Sequence, residues 1–570
     1  MDYTISYKQP NSHLLHIELT FSPKSGKDLI LRLPAWRPGR YELANYAKNI
    51  VQVKAENALG KTLPIKKTSR ETWQLSAEVA EEVHIKYSYY AGQMDAGGSW
   101  LDPDLLFINF INCLFYIPGR EEEACRMEIS IPENFRVACG LPVHKGLIQA
   151  PSYRKLIDSP LLAAANISHL EYTVSGVPFH IWISGLEKFD SSKIVADFKA
   201  FTAEQLRTMK DFPENAYHFI FHALPYHFYH GVEHSNSTVV MLGPAGLFSD
   251  PAHYHNFLSI SAHELFHAWN ICKIRPKELL PYDLSAENYF PTGYVAEGFT
   301  TYYGDLFLIR SGVFSEAAFF TELDTTFKKH FENFGRLNLS LTESSFDLWV
   351  DGYVQGVPCR KVSIYVKGCI IALMLDLEIR YLSNGKHSLD NLMRLLWEDF
   401  GKKKKGYTSE DIKLLAEKIT QNSFSDFFLK YIEGIEPEEE KLSALLSFVG
   451  CKLVVTAPDS YLEKTFGLRL TLKENKWLVD QTEPFSPADL YFSKGDEIQA
   501  IEGFANFTMP DSLTKGKKQV RFEFLRNGKV KELVLEASDS IHFPVFKVEK
   551  DQTADEEQKK QFALWLNVPF

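Results

Sequence analysis

The spacing of apolar residues changes twice along this chain of 570 residues, and these changes restrict its architecture more than any other feature. Over the first 175 or so residues, segments such as HLLHIELTF and EVHIKYSYY alternate apolar and polar positions, which is typical of antiparallel sheets. Helical spacing appears near residue 186 and dominates from His253 to about residue 445, and strand-like segments return after about residue 446. A single hydrophobic core does not extend over this length, so the sequence predicts a multidomain α+β protein.

These changes divide the chain into four predicted parts. An N-terminal antiparallel β-sandwich is expected over residues 1–175, and a mainly helical domain over residues 176–445. A small α/β domain is expected over residues 446–545, because Asn527 and Gly528 join two alternating segments as a hairpin turn does. The last part, residues 546–570, is expected to be a C-terminal tail.

The charge balance excludes a nucleic-acid-binding surface. The formal net charge is −11, and the longest basic run, residues 402–405, lies between two glycines as a solvated loop does. No run of 18 apolar residues is present, so no membrane-spanning segment is expected. Seven cysteines without a CxxC pair indicate reduced thiols, and the first segment lacks the features of a signal peptide. Both observations indicate a cytoplasmic protein, or a periplasmic one if a leader had been removed.

Two histidines and a glutamate lie close together in the segment SAHELFHAWN, residues 261–270. His263 and His267 are four residues apart, so on a helix both imidazoles project from one face and can hold one metal ion. The surrounding segment YHNFLSISAHELFHAW lacks Pro and Gly and has helical spacing. Neutral imidazoles favour a single zinc ion, and Glu264 is then placed to take a proton from the attacking water. The pattern also arises by chance, so it needs support from the rest of the chain.

A third ligand has to come from another segment. The extended zinc motif would need histidine at position 273 and glycine at position 270, but these residues are Lys273 and Asn270. A glutamate from a following helix is the other common solution, and Glu297 supplies it thirty residues after His267, in VAEGFTTYYGDLFLIRSG. The alternative is that Glu297 is only a first-turn glutamate favoured by the helix dipole.

Four motifs in order resemble the glycyl aminopeptidase family of zinc (gluzincin) peptidases. They are HGVEHSNST (230–238), HELFHAWN, EGFTTYYGD and SIYVKG (363–368). The segment LPAWRPGRYELANYAKNI (33–50) is similar to the N-terminal signature of that family, so the resemblance covers nearly the whole chain. It implies a thermolysin-like catalytic domain over residues 176–445 and a PDZ domain over residues 446–545.

The resemblance also implies roles for individual residues. Glu233, in the segment Gly231-Val232-Glu233-His234, would bind the free α-amino group of the substrate, with Gly231 and His234 beside it. Tyr365 would donate a hydrogen bond to the oxyanion of the transition state. The segment NSTVVML would be the edge strand along which a peptide lies. The alternatives are that Glu233 simply ends a strand and that Tyr365 is packed in the core.

Two arginines of the N-terminal signature leave a question open. Arg40 stands where the family pattern predicts a small residue. Arg37 and Arg40 could reach the cleft and meet a carboxylate of a short substrate, or they could be ordinary surface charges.

The C-terminal α/β part resembles a PDZ domain of the bacterial protease type. KTFGLRL, EPFSPADL and KGDEIQAIEG carry this resemblance, and residues 465–468 would form the loop that receives the C-terminus of a peptide. The same part could instead be a structural brace or a wall of the cleft.

The sequence thus predicts a zinc-dependent aminopeptidase that removes N-terminal residues from peptides. The preference for small first residues, Gly or Ala, is implied by the resemblance alone. Two alternatives remain: a zinc endopeptidase on the same scaffold, and a non-catalytic PDZ protein that binds peptides and keeps a vestigial site.

Overall fold

The N-terminal part of the computed structural model is rich in β-strands. The model describes residues 1–23, 29–75, 82–247, 250–505 and 509–570. One short helix, α1 (Tyr153–Ile157), interrupts the strands. The strands are β1 (Asp2–Ser6), β2 (Leu14–Phe21), β3 (Leu29–Arg32), β4 (Ile50–Asn57), β5 (Thr62–Leu63), β6 (Ile65–Lys67), β7 (Thr72–Leu75), β8 (Val83–Tyr90), β9 (Gly92–Gln93), β10 (Ser99–Leu101), β11 (Leu105–Ile108), β12 (Cys125–Ile129), β13 (Arg136–Cys139), β14 (Val143–His144), β15 (Leu147–Ala150) and β16 (Leu161–Ala164).

Three sheets enclose the N-terminal core. Their strand orders are β14-β15-β12-β1-β2-β8-β4-β5, β13-β16-β11-β10-β9 and β3-β7-β6. Strand β2 shows the predicted alternation, since Leu15, Ile17, Leu19 and Phe21 are buried and the residues between them are partly exposed. The pairing differs from the prediction at one point, because β1 pairs in parallel with β12 while it pairs antiparallel with β2.

The middle of the chain combines one mixed sheet with many helices. The strands are β17 (Ile167–Val174), β18 (Val177–Ser184), β19 (Tyr217–Ala223), β20 (Phe228–His234) and β21 (Ser237–Gly243). The helices are α2 (Ser191–Met209), α3 (Pro251–Phe266), α4 (Thr300–Arg310), α5 (Glu316–Phe331), α6 (Leu341–Phe346), α7 (Leu348–Asp351), α8 (Val366–Leu382), α9 (Leu389–Leu396), α10 (Ser409–Thr420), α11 (Ser425–Phe427) and α12 (Glu439–Phe448). This part confirms the helical region of the predicted α+β architecture.

The edge of the mixed sheet is not where the sequence predicted it. The strand order is β17-β18-β19-β21-β20, so β21, which contains most of NSTVVML, lies between β19 and β20. The prediction that this segment forms the edge strand is therefore wrong. The chain turns back after His234, so β20 pairs with β21 on one side and becomes the edge among the described strands.

The C-terminal part contains a second small core and returns to the helices. Its elements are β22 (Cys451–Thr456), α13 (Tyr461–Phe466), β23 (Leu468–Lys473), β24 (Lys476–Thr482), β25 (Glu497–Ile501), α14 (Pro510–Thr514), β26 (Gln519–Arg526), β27 (Lys529–Glu536), β28 (Val545–Lys550) and α15 (Glu556–Leu566). Strands β23 to β27 form one sheet with its own core, which includes Phe466 and Phe522. Strand β22 pairs with β28 instead.

Residues 546–570, for which a tail was expected, belong to the core of the helical part. Phe546 and Trp565 are buried together with residues of α4 and α5. The indole Nε1 of Trp565 donates a hydrogen bond of 2.9 Å to the hydroxyl of Tyr302, and the Arg310 side chain donates one of 2.9 Å to the Trp565 carbonyl. The chain therefore leaves the helical part through β22 and re-enters it through β28 and α15.

All seven cysteines are unpaired thiols. Six of them are buried and Cys359 is partly exposed, so the structure contains no disulfide, in agreement with the scattered spacing. The most apolar long helix, α8, is buried along almost its whole length within the helical core. Within the described ranges, no helix combines the length and apolarity needed to cross a bilayer.

Candidate active site

Helix α3 places the two predicted histidine ligands side by side. The Asp250 side chain accepts hydrogen bonds from the backbone N–H of Ala252, at 2.8 Å, and of His253, which fixes the start of the helix. One turn separates His263 from His267, and their Nε2 atoms are 3.0 Å apart. His267 is buried and His263 is partly exposed, so one imidazole faces the interior and the other borders the cleft.

The carboxylate of Glu297 meets both imidazoles. Its Oε2 atom lies 3.4 Å from His267 Nε2 and 3.9 Å from His263 Nε2. The three ligand atoms all lie within 4.8 Å of one another. Two imidazole nitrogens and one carboxylate oxygen are the donor set of many catalytic zinc sites, so these residues fit the predicted ion. The structure therefore brings together the three side chains that the sequence singled out as ligands.

A π-helical turn aims Glu297 at the histidines. Residues Tyr294–Phe299 form this turn directly before α4, and such turns occur often at functional sites. The turn crosses the start of α8 where Gly298 meets Gly368, and a Cβ atom at Gly298 would overlap the Gly368 backbone. The two glycines thus permit the close approach that places Glu297 and Tyr365 around the same centre.

Neighbouring groups fix the orientation of the ligands. His267 Nδ1 donates to the carbonyl of Asn270 at 2.8 Å, which directs the Nε2 lone pair towards the cluster. The Asn270 amide donates to the Val295 carbonyl at 2.7 Å and so ties α3 to the π-helical turn. From the N-terminal part, the Tyr41 hydroxyl donates to Glu297 Oε1 at 3.3 Å. Partners of this kind hold a ligand in position before a metal binds.

The substitution Tyr41→Phe should weaken metal binding while leaving the three ligands in place. Groups that orient metal ligands commonly contribute about 10- to 100-fold in metal affinity, so we expect a loss in that range. A competition titration against a chelating dye measures it. Tyr153→Phe is the matched control, because its hydroxyl donates to the Leu114 carbonyl at 2.9 Å, within the N-terminal core. Equal zinc affinity in both variants would contradict the role of Tyr41.

Glu264 is enclosed beside the ligands. Only 5 % of its surface is exposed, and its Oε2 accepts a hydrogen bond of 3.4 Å from the Thr238 hydroxyl. A Cβ atom at Gly231 would overlap the Glu264 carboxylate, so glycine on the edge strand makes room for that group. Burial raises the pKa of Glu264, and the carboxylates of Glu233 and Glu297 raise it further, against the opposing effect of His267. A carboxyl with a raised pKa suits proton transfer near neutral pH.

Glu233 follows Gly231 by two residues on β20, so both residues lie on the same face of the strand. Its side chain is buried, and its Oε1 atom has no hydrogen-bond partner among the described residues. Burial raises the pKa of Glu233, while the nearby His267 opposes this effect. A buried carboxylate oxygen without a donor favours a cationic or hydrogen-bonding ligand.

His234 does not reach the ligand cluster. Along β20 it alternates with Glu233 and therefore points to the other face, where its Nδ1 lies 3.2 Å from Asp158 Oδ1. His234 thus lies outside the ligand cluster, but it lines a cavity together with Glu233, so its substrate-binding role stays a prediction. The physical reason is the period of two in a strand, which separates adjacent side chains.

The N-terminal signature reaches this site through a tight turn. Arg37, Pro38, Gly39 and Arg40 form a β-turn in which the Arg40 N–H donates to the Arg37 carbonyl at 3.2 Å. Proline at the second position and φ of +80° at Gly39 are typical of a type II turn. A Cβ atom at Gly39 would also overlap the Glu233 carboxylate. Glycine is thus required at this position by both the backbone and the site.

Tyr365 lies at the start of α8, next to the cluster. Its hydroxyl is hydrogen-bonded to that of Tyr353. Burial, and then the carboxylate of Glu297, raises the pKa of Tyr365 well above its ordinary value of 10.0. The hydroxyl therefore keeps its proton and stays a hydrogen-bond donor at neutral pH.

A buried ion network anchors the segment that carries Tyr365. Lys367 Nζ lies 2.8 Å from Glu438 Oε1, and His330 Nε2 lies 3.2 Å from Glu438 Oε2. All three side chains are 1 % exposed. Although burial raises the pKa of Glu438, His330 and Lys367 outweigh this effect and lower it to about 2.

The substitution Glu438→Gln should destabilise the fold by about 3–5 kcal/mol near neutral pH, because it leaves Lys367 buried without a counter-charge. The lowered pKa stabilises the folded chain above the ordinary value of 4.5, and this contribution is lost as the pH falls towards 2. The difference in thermal midpoint between wild type and variant should therefore shrink between pH 6 and about pH 3. Glu439→Gln is the control, since the ion pair of Glu439 with Arg336 is partly exposed. Equal midpoints for both variants would contradict this.

A cleft of 650 Å³ opens onto these residues. His263, Glu264, Gly231 and Tyr365 line it, and residues 229–231 of the edge strand β20 form part of its wall.

A second group that could hold a cation, made of His169, Glu171 and His180, lies on β17 and β18 at the other edge of the same sheet. A third group combines Glu233, Glu264 and His267 and therefore shares a ligand with the first.

Sequence reasoning missed three residues that take part in this site. They are Tyr41, Thr238 and Tyr353, which bond to Glu297, Glu264 and Tyr365 respectively. Tyr41 had a signal, because it directly follows the Pro-Gly turn of a segment that was already singled out. No spacing rule connects the other two to their partners.

Two protein-family models match this chain, one in the N-terminal part and one around the proposed metal site. Residues 2–165 match the peptidase M61 N-terminal domain, and residues 256–371 match the M61 glycyl aminopeptidase domain. The second match contains His263, Glu264, His267, Glu297 and Tyr365. The chain thus matches both peptidase M61 domains, which confirms the resemblance to the glycyl aminopeptidase family predicted from its motifs.

Solved structures include one that is similar over the whole chain. An aminopeptidase N family protein from Idiomarina loihiensis shares 27% sequence identity, with 99% of each chain covered and a TM-score of 0.91. An M1 zinc metallopeptidase from Deinococcus radiodurans is a more distant match, with 12% identity, 76% of this chain and 94% of that chain covered, and a TM-score of 0.46. No match was found among curated proteins.

Proposed function

We propose that this protein is a zinc-dependent aminopeptidase, with zinc held by His263, His267 and Glu297. The observation that carries the proposal is the convergence of these three ligand atoms within 4.8 Å, beside a buried Glu233 oxygen that has no partner in the described chain. The donor set favours zinc, and the free carboxylate oxygen favours an ammonium group next to the scissile bond. The match of residues 256–371 to the M61 glycyl aminopeptidase domain supports the same reaction.

In this proposal each side chain around the cleft has a separate role in the reaction. Zinc, when bound, would supply the Lewis acidity that polarises the scissile carbonyl and acidifies water. Glu264 takes a proton from the attacking water and passes it to the leaving amine. Tyr365 exchanges its hydrogen bond with Tyr353 for one to the oxyanion, and so stabilises charge that develops only in the transition state.

Glu233 selects substrates with a free N-terminus. Its carboxylate binds the α-ammonium group, and the turn at Gly39 closes against it. The strand β20 leaves its outer edge unpaired in the described sheet and lines the cleft, so it is the strand along which the peptide backbone would lie. The carried-over preference for small first residues rests on the family resemblance.

Hydrolysis of aminoacyl p-nitroanilides, with and without a chelator, tests the proposed function. We expect turnover that the chelator abolishes and added zinc restores, because the metal polarises the reacting carbonyl. Free and N-acetylated peptides of one sequence should then be compared. Cleavage of both at equal rates would replace the aminopeptidase by the alternative of an endopeptidase on the same scaffold.

The C-terminal sheet β23 to β27 is proposed to be a PDZ domain. The hairpin β26–β27 and the helix α13 ahead of β23 support this interpretation, and residues 465–468 would receive a peptide C-terminus. Arg469 Nη2 lies 2.9 Å from Glu332 Oε1 of α5's C-terminal end, so the same sheet also braces the helical part.

The proposed division into domains changes the predicted boundaries at two points. The predicted boundary at 175 moves ahead of β17, because β17 pairs with β18 in the mixed sheet. We propose a β-sandwich that ends after β16, a thermolysin-like domain from β17 to residue 445, a PDZ domain within 446–545, and a return of 546–570 to the catalytic domain. The pairing of β22 with β28 supports this return. The alternative to the enzyme is a non-catalytic protein that binds peptides through the PDZ domain. A zinc-loaded sample without hydrolytic activity would favour this alternative.

A further inference from the structure

A second cavity, of 400 Å³, lies beside Glu233 between the N-terminal sheets and the segment that follows α3. Arg37 lines both this cavity and the catalytic cleft, whereas Glu233 and His234 line the cavity. Its walls carry six cationic side chains against the carboxylates of Glu122, Asp158 and Glu233. The six are Arg37, Arg154, Lys155, Lys273, Arg275 and Lys404. Cations thus outnumber carboxylates in the lining, with Lys273 paired to Glu214 outside it.

Three buried side chains that line the cavity have polar atoms without hydrogen-bond partners within the described ranges. Asn109 is fully buried, and neither its oxygen nor its nitrogen is bonded. His234 Nε2 and Glu233 Oε1 are also without partners, and both residues are more than nine-tenths buried. Buried polar atoms are nearly always bonded to protein, water or ligand, so these walls are built for a polar occupant.

Arg37 is the most unusual of these groups. It is 5 % exposed, yet no carboxylate of the described residues lies within 4.0 Å of its guanidinium. Its bonds go to neutral partners, the Pro38 carbonyl at 3.1 Å and His230 Nε2 at 3.4 Å. A buried guanidinium is costly without a counter-charge, so an anionic group would bind here with little competition from protein carboxylates.

Glycine backbone packs closely against both Arg37 and Glu233. A Cβ atom at Gly97 would overlap the Arg37 guanidinium, and one at Gly39 would overlap the Glu233 carboxylate. The two glycines lie in different turns, so two separate backbone segments make room for these side chains. Further along the cavity, Asp158 is already bonded to Ser235 and His234, and Glu122 lies 2.9 Å from Arg154. Arg37 consequently remains a buried cation in the same cavity as Glu233, without a carboxylate partner among the described residues.

We propose that this cavity receives the side chain of the first substrate residue and that it favours an acidic side chain, Asp or Glu. The α-ammonium group binds Glu233 while the side-chain carboxylate binds Arg37. This inference rests on the proposed aminopeptidase function and differs from it in substrate class, because the family resemblance predicts small first residues. The polar walls and the buried cation favour a carboxylate over a methyl group.

The wild-type enzyme provides the first test. Values of kcat/KM for Glu-p-nitroanilide and Gln-p-nitroanilide compare two side chains of equal shape, and Asp with Asn gives a second pair. We expect each acidic substrate to exceed its amide by about tenfold or more, since a site built for a charged group rejects the analogue that lacks it. Free glutamate should likewise inhibit hydrolysis of Ala-p-nitroanilide more strongly than free glutamine does.

Variants of the turn show which residue causes the preference. Arg37→Gln should bring the Glu-to-Gln ratio to about 1, and Arg37→Lys should restore part of it. Arg40→Gln is the matched control in the same turn, because Arg40 is half-exposed and paired with Glu42, and it should keep the wild-type ratio. If Arg37→Gln does not fold, the substrate pairs and the inhibition by free amino acids, both measured on the wild type, still test the acidic preference.

The outcomes separate this inference from the proposed function. A ratio of 1 or below in the wild type, with good hydrolysis of Ala-p-nitroanilide, overturns the acidic preference and leaves the aminopeptidase intact. A wild-type preference that Arg37→Gln does not change overturns the assignment to Arg37. A zinc-loaded enzyme that hydrolyses no aminoacyl substrate overturns the proposed function and this inference with it.

Discussion

Replacing Glu264 by glutamine should abolish turnover while the enzyme keeps its metal. A positioned general base contributes about 10²- to 10⁴-fold to a rate, and we expect kcat to fall within or beyond this range. Glutamine has nearly the shape of glutamate and can still accept the hydrogen bond from Thr238, so the site should stay assembled. Steady-state hydrolysis of an aminoacyl p-nitroanilide measures the loss.

Two measurements keep this result interpretable. Metal content per chain and the thermal midpoint should match those of the wild type, because Glu264 is not one of the three proposed ligands. A variant that loses its metal would show that Glu264 acts as a ligand, as the alternative group of Glu233, Glu264 and His267 would require. A variant that keeps wild-type turnover would remove Glu264 from the mechanism.

The second large effect is expected at Glu233. Changing it to glutamine removes the charge that binds the α-ammonium group, and loss of one partner of a buried charge pair costs about 2–5 kcal/mol, or roughly 30- to 4,000-fold in kcat/KM. The loss should appear for substrates with a free amino group and not for the same peptides after N-acetylation. The ratio between these two substrates is therefore the quantity to measure.

The variant Gly231→Ala is the control for that comparison. Gly231 lies on the same strand face and makes room for Glu264, so Gly231→Ala should lower the hydrolysis of both substrates through the displaced base. Glu233→Gln should change their ratio instead. If Glu233→Gln lowered both rates equally, Glu233 would have a structural role and the endopeptidase alternative would gain support.

Local rules were sufficient to predict which three side chains meet at the proposed metal site. The spacing of His263 and His267 depends only on the pitch of a helix, and α3 provides it. Glu297 follows from the need for one more ligand on a neighbouring helical segment, and the structure places its carboxylate at both imidazoles. The change from strands to helices, with the β-rich N-terminal part, was also readable from periodicity.

Features that depend on distant pairing were not predictable in this way. The edge of the mixed sheet is fixed by which strands pair, so β21 was wrongly expected at the edge although its own sequence is a good strand. The bond from Tyr41 to Glu297 joins residues 256 positions apart, and no local pattern reveals such a contact. The docking of α15 on α4 likewise requires the whole fold.

His234 shows what a family motif leaves open. The resemblance grouped it with Glu233 as part of one substrate-binding motif, while the alternation of a strand places the two side chains on opposite faces. A family motif therefore predicts the segment that forms a site better than it predicts the role of each residue in that segment.

Metal content, measured by mass spectrometry after exhaustive dialysis, is the most direct test of the central claim. We predict that His263→Ala and Glu297→Gln each contain one zinc equivalent less than the wild type, whereas His169→Ala, in the separate group on β17 and β18, keeps the zinc on which turnover depends. If both ligand variants retained the wild-type content, the three side chains would not form the metal site, and the proposed hydrolytic mechanism would be wrong.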